Sequence, residues 1–144
     1  MRVEEIMTRN PATVRINSTV QEAARLMAER DIGFVPIVDD NGAAVGTVTD
    51  RDIAIRVVAK GLDARSSKLS DFGGNEVVCV QPQDDISRAQ ELMEQRQIQR
   101  ILVCDQQKKP VGVISLQDLA EESDEKDVGE TVRQVKQQGS SPVH

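Results

Sequence analysis

The sequence predicts a mixed α/β (α+β) fold made of two tandem copies of one β-α-β-β-α unit, packed sheet to sheet as a pseudo-twofold pair. Three observations predict it. A single gapless offset of 66 residues carries Gly46 onto Gly112 and Asp52 onto Asp118. The same offset carries Leu26-Met27 onto Leu92-Met93, Arg30 onto Arg96, Ile32 onto Ile98 and Asp39 onto Asp105. Within each copy, helical spacing gives way to short β-branched runs, and a repeat of this kind outranks any local propensity in setting the fold. A half-sheet with its helices on one face cannot bury its apolar side alone, whereas two copies can.

Each unit opens on a short extended segment, Ala12-Thr13-Val14 in the first copy and Val77 to Val80 in the second. A helix follows. In the first copy Ser18 is the expected N-cap, with Gln21 at capping-box spacing, and Val20, Ala23, Ala24 and Met27 form one apolar face. In the second copy Asp84 or Asp85 is the cap, and Ile86, Ala89, Leu92 and Met93 supply the face. Strands are expected at Val35 to Val38 and at Ile101 to Cys104. Asn41-Gly42 is a hairpin signal, replaced by Lys108, Lys109 and Pro110 in the second copy. The next strands end at Thr49 and Ser115, where a second helix begins at once, and Gly61 is placed to end the first of these helices. The expected organisation is a first repeat over 1–61, a short polar link over 62–70 and a second repeat over 71–122. A C-terminal acidic and amphipathic helix is expected over 123–138, carrying Val128, Val132 and Val135 at helical spacing, then a disordered tail over 139–144.

Composition narrows the function classes. The chain has two Phe, no Trp and no Tyr, so its core is expected to be aliphatic. Net charge is −6 with no basic block, and stacking aromatics are missing, which argues against nucleic-acid binding. No run approaches the ~18 apolar residues of a membrane span and no signal-peptide core is seen, so a cytoplasmic protein is expected. The two cysteines, Cys79 and Cys104, lie in Val-rich segments. They read as buried reduced thiols, with a redox pair as the other reading.

The chemistry is carried by Gly46-x-Val48-Thr49-x-x-Asp52 and its copy Gly112-x-Ile114-Ser115-x-x-Asp118. A hydroxyl residue ends a strand and a carboxylate follows three residues later, in the first turn of a helix. The hydroxyl can donate to a phosphate or sugar oxygen, the free N–H groups favour an anion, and the carboxylate can accept from ribose hydroxyls. The competing reading is local: Thr or Ser as N-cap and Asp as a first-turn residue.

The stretch Asp31-Ile32-Gly33-Phe34-Val35-Pro36-Ile37-Val38-Asp39, followed by Val45 through Ile53, resembles a cystathionine-β-synthase (CBS) domain, and Ile98 through Asp118 resembles its partner. The resemblance covers Val3 to Ala120, and the layout is similar to stand-alone bacterial CBS-pair proteins, including the hypoxia-response type. It implies a Bateman module with two clefts between the repeats, which bind AMP, ADP or ATP, or alternatively S-adenosylmethionine or NAD-type ligands. It also implies a homodimer assembled through helices. Carried over residue by residue, one cleft (cleft A) combines Thr49, Arg51 and Asp52 with Val78, Ile98, Gln99 and Arg100. The other (cleft B) combines Ser115 and Asp118 with Ala12, Thr13, Ile32, Gly33, Phe34 and Pro36. At the positions of Arg51 and Arg100, cleft B has Gln117 and Phe34, so cleft A is expected to prefer phosphorylated ligands. Pro36 is matched by Leu102, a departure from the usual pattern.

The expected function is a non-catalytic regulatory module that senses an adenosine-containing nucleotide, needs no cofactor or metal, and signals to a separate effector protein. The alternative is a dimeric interaction or scaffold module without a physiological ligand. Catalysis is disfavoured because the only histidine, His144, is the last residue, so no Cys-His or Ser-His pairing forms within the folded body.

Overall fold

A computed structural model describes residues 1–71 and 77–122. The C-terminal helix and tail expected over 123–144 lie outside the described residues. The two-repeat mixed fold is borne out, and its contacts group the chain into two units, one of Pro11–Val77 and one of Met1–Asn10 with Val78 onward.

The Pro11–Val77 unit runs β2 (Val14–Arg15), α1 (Val20–Arg30), β3 (Phe34–Val38), β4 (Ala44–Thr49) and α2 (Asp50–Ile53). Its three strands are ordered β2-β3-β4, with β2 parallel and β4 antiparallel to β3. The cap of α1 is Thr19 rather than Ser18: the Thr19 hydroxyl accepts from Glu22 N at 3.2 Å. Ser18 is held elsewhere, its carbonyl accepting from Leu69 N at 2.9 Å, so its backbone is committed to an incoming segment. Val20, Ala23 and Met27 of α1 are buried, and they pack with Val35, Ile37, Val48, Val57 and Leu69 into an aliphatic cluster. The Asn41-Gly42 turn forms as expected, with Gly42 at φ 84 and Asp39 Oδ1 accepting from Asn41 N and Ala43 N. Gly61 takes φ 71 beyond the second helix, a conformation glycine adopts without steric cost. One feature of that helix is not foreseen: after Ile53 the winding loosens into a π turn over Ala54–Val58, with Ala59 N bonding to Ala54 O at 2.8 Å.

The other unit runs β1 (Thr8–Arg9), β5 (Cys79–Val80), α3 (Ile86–Arg96), β6 (Arg100–Cys104), β7 (Pro110–Ser115) and α4 (Leu116–Glu122). Strand order is β1-β7-β6-β5. Asp85, one of the two expected caps, accepts from Ser87 N at 3.0 Å, while Asp84 accepts from Gln81 N at 2.8 Å. Ile86, Ala89, Leu92 and Met93 are buried as expected, and they join Val3, Ile101, Val103, Ile114 and Leu119 in a second aliphatic cluster. The edge strand β1 is an addition to the expected element list. It pairs Thr8 with Val113 and Arg9 with Gly112, and a Cβ at Gly112 would collide with the Met7 side chain and the Thr8 carbonyl.

The 66-residue offset extends to segments outside the sequence motifs. Leu69 N bonds to Ser18 O in one unit and Val3 N to Asp84 O in the other. Thr19 bridges Lys68, and Asp85 bridges Arg2. Val3 and Leu69 are both fully buried, each completing the cluster of its unit. The segment leading into the first repeat therefore finishes the second repeat's core, and the segment leading into the second finishes the first's.

Candidate functional site

Each repeat presents the same strand-to-helix junction. In the first, Thr49 ends β4 in extended conformation, φ −116 and ψ 162, and α2 starts with Asp50. The Thr49 hydroxyl accepts from Asp52 N at 3.0 Å, and Asp52 Oδ2 accepts from Thr49 N at 2.9 Å. In the second, Ser115 Oγ accepts from Asp118 N at 3.0 Å and Asp118 Oδ2 accepts from Ser115 N at 2.9 Å. Both are capping boxes, so the local reading of these residues holds. It does not use them up. A hydroxyl that accepts still has its proton to donate, and the second carboxylate oxygen of Asp52 and of Asp118 accepts no hydrogen bond among the described residues. All four residues are half-buried, which leaves these groups within reach of a ligand.

The neighbouring strand brings a second set of expected residues to each junction. Phe34 pairs with Thr49 in register, and Gly33 O accepts from Asp50 N at 3.0 Å. Arg100 pairs with Ser115, and Gln99 O accepts from Leu116 N at 2.8 Å. Thus Ile32, Gly33, Phe34 and Pro36 stand on the unit that carries Thr49, Arg51 and Asp52, and so do Ala12 and Thr13 at the approach to β2. Val78, Ile98, Gln99 and Arg100 stand on the unit that carries Ser115 and Asp118. Pro36 is buried, Thr13 and Arg51 are exposed, and the remaining residues of the set are half-buried. Gln117 is exposed and donates to Glu121 Oε1 at 3.4 Å along its own helix.

One residue escaped the sequence reading. The Asp50 carboxylate covers Gly33 so closely that a Cβ there would lie 2.7 Å from Asp50 Oδ2. The repeat itself held the signal, since Asp50 aligns with Leu116, an acid in one copy against an apolar residue in the other. Among the described residues no group of three or more His, Cys, Asp or Glu stands together as a metal site. No described helix is long and apolar enough to cross a membrane.

The CBS-domain family model matches residues 3–59 and 69–125. CBS domain-containing protein YhcV of Bacillus subtilis is 41% identical over 118 residues, covering 82% of each chain. The solved structure of Hypoxic Response Protein I with two coordinated zinc ions superposes at TM-score 0.78, with 29% identity, over 86% of this chain and 100% of that one. The CBS domain pair of MJ0100, solved with 5′-methylthioadenosine and S-adenosyl-L-methionine, superposes at TM-score 0.75 over 84% of this chain and 94% of that one. Its identity is 24%, a likeness of fold. The chain spans only 23–24% of the length of further curated relatives named as enzymes. With the duplicated junction and the two matched stretches in agreement, the chain belongs to the CBS-domain family, as a tandem pair.

Proposed function

We propose that the pair is a regulatory module that binds an adenosine-containing nucleotide, AMP, ADP or ATP, and passes the signal to a separate effector protein. The observation that carries this reading is the duplicated hydroxyl–carboxylate box. In each copy a hydroxyl proton and a carboxylate oxygen remain to meet a ribose or phosphate. The ligands named for the MJ0100 pair add support at the level of fold. In this reading each cleft takes its box from one repeat and its adenine-facing residues from the other, in the two sets given above. The module itself performs no catalysis, works in the cytoplasm and acts as a homodimer. Ile55 and Val58, exposed three residues apart beyond the first box, and Leu62, exposed after the Gly61 turn, suit such an assembly.

A thermal-shift panel of AMP, ADP, ATP, NADH and S-adenosylmethionine tests the reading. A ligand at 100 times its Kd should add about 2.7 kcal/mol of stability. No shift with any of the five at millimolar concentration rejects it. The second reading, a scaffold without ligand, is favoured by the reciprocal bonds of the box, which already give all four residues a structural use.

A further inference from the structure

Two thiols stand together in the second repeat, and ligand binding has no need of them. β5 and β6 run parallel, with Cys79 opposite Leu102 and Val80 opposite Val103. Cys104 lies two residues beyond Leu102, and side chains two apart on a strand share a face, so Cys79 and Cys104 are diagonal neighbours on one face of the sheet. Both stand at strand ends, Cys79 opening β5 and Cys104 closing β6, where a small backbone adjustment disturbs little pairing. The repeat offset places Thr13 and Val38 at the matching positions of the first copy, so the thiol pair is private to the second.

We infer that Cys79 and Cys104 form a redox-active dithiol that closes reversibly to an internal disulfide in response to a hydroperoxide. Exposure divides the labour: Cys79 is half-buried, whereas Cys104 is buried at 2% exposure. Cys79 meets the oxidant and Cys104 resolves. The Cys79 sulfur attacks the peroxidic oxygen, an S–O bond forms, the O–O bond breaks, and an alcohol leaves, or water when the oxidant is hydrogen peroxide. The Cys104 sulfur then attacks the Cys79 sulfenic acid. The S–S bond forms, the S–O bond breaks, and water departs with the Cys104 proton. Two thiols are oxidised and one hydroperoxide is reduced, and a small dithiol reverses the change by exchange.

The electrostatics suit these roles. Hydrogen bonding with Cys104, helped by the charge of Lys108, brings the Cys79 thiol down to about 6 against burial and Asp84. The Cys104 thiol is pushed up by that same bond, by burial, and by the charges of Cys79 and Asp105, with Lys108 opposing. Nucleophilic character thus collects on the more exposed sulfur.

The full chain has just these two cysteines, which makes the test unambiguous. The reduced protein is treated with hydrogen peroxide, denatured, alkylated with iodoacetamide and weighed intact. The expected product has lost two hydrogens, takes no alkyl group, runs as a single chain on a non-reducing gel and recovers two labelling sites after dithiothreitol. C79S and C104S should each fail to give that product, and in C104S the remaining thiol should alkylate more slowly at neutral pH than Cys79 of the parent. Two alkylated thiols after peroxide treatment overturn the proposal, as do chain-to-chain disulfides or irreversible over-oxidation as the main product.

Discussion

The two repeats keep one backbone and diverge in their side chains. Asp39 and Asp105 accept from the same pair of turn amides, and Asp31 and Gln97 both take the left-handed conformation that ends the first helix. The register shift at Ile37/Val38 recurs at Val103/Cys104. Against this sameness, Asp50 aligns with Leu116, Arg51 with Gln117 and Phe34 with Arg100, and Thr13 and Val38 align with the cysteines. Backbone bonds and buried aliphatics are what the fold requires of a copy. Asp50, Arg51 and Phe34 differ from their counterparts where a strand meets the second helix, beside boxes that both copies keep, whereas Cys104 lies at the hairpin end of β6.

The heaviest losses of stability are expected at the two completing segments. Leu69→Ala should cost about 2–5 kcal/mol in urea unfolding, as a large-to-small change in a packed core does. Val3→Ala should act in the same direction with a smaller loss, since less side chain is removed. If either variant unfolds like the parent, that segment does not complete its cluster.

Next come the ligand positions. Arg100→Ala should weaken AMP roughly ten- to a hundredfold, the worth of one charge-assisted bond, and leave adenosine nearly unchanged. Calorimetry with both ligands checks it, and equal losses would remove the phosphate role. Two indistinguishable AMP sites per chain would erase the proposed inequality of the clefts. Asp52→Ala should cost a comparable ~1.5–3 kcal/mol of adenosine binding at cleft A. If binding is unchanged while thermal stability falls, the carboxylate serves the capping box alone.

The smallest effects separate the caps of α1 and α3. Thr19→Ala should cost about 1 kcal/mol at any pH where the protein folds, because a hydroxyl cap does not titrate. Asp85 behaves differently. Its hydrogen bonds from Ser87, together with the N-terminal ammonium, hold its carboxyl down to about 2. A depressed carboxylate stabilises fully above its ordinary value of 3.8, and that contribution fades as pH falls through about 2. Carboxyl-carbon NMR should show Asp85 titrating near pH 2, and a midpoint close to the ordinary value would refute the bond.

Much of this fold was legible in the sequence because duplication repeats its own evidence. The strand pairs, hairpins, aliphatic faces and both boxes follow from aligning Gly46 with Gly112 and reading periodicity in each copy. Besides the edge strand β1, three features were hidden, for physical reasons. Thr19 and Ser18 are equally good caps by chemistry, and tertiary bonding of Ser18 to Leu69 decides between them. Leu69 is a single apolar residue in polar surroundings, and the run of Val3, Ile6 and Met7 is too brief for periodicity alone to mark it as core. The π turn at Ala54–Val58 carries no glycine or proline to announce it. For the site, the boxes were read both as caps and as ligand groups, and the structure shows why one reading does not displace the other: capping occupies the accepting face of each hydroxyl and a single carboxylate oxygen.

The exchange of leading segments also sets a timetable. The aliphatic cluster of the Pro11–Val77 unit is drawn from residues 14–69 alone, so its members can meet before the second repeat is complete. Met1–Asn10 cannot, because the strand and core they join come from residues beyond 78. At roughly 5–20 residues per second, Thr8 waits roughly 5–20 seconds for Val113, the residue it pairs with. Docking of Val3 therefore follows synthesis of the core that it completes.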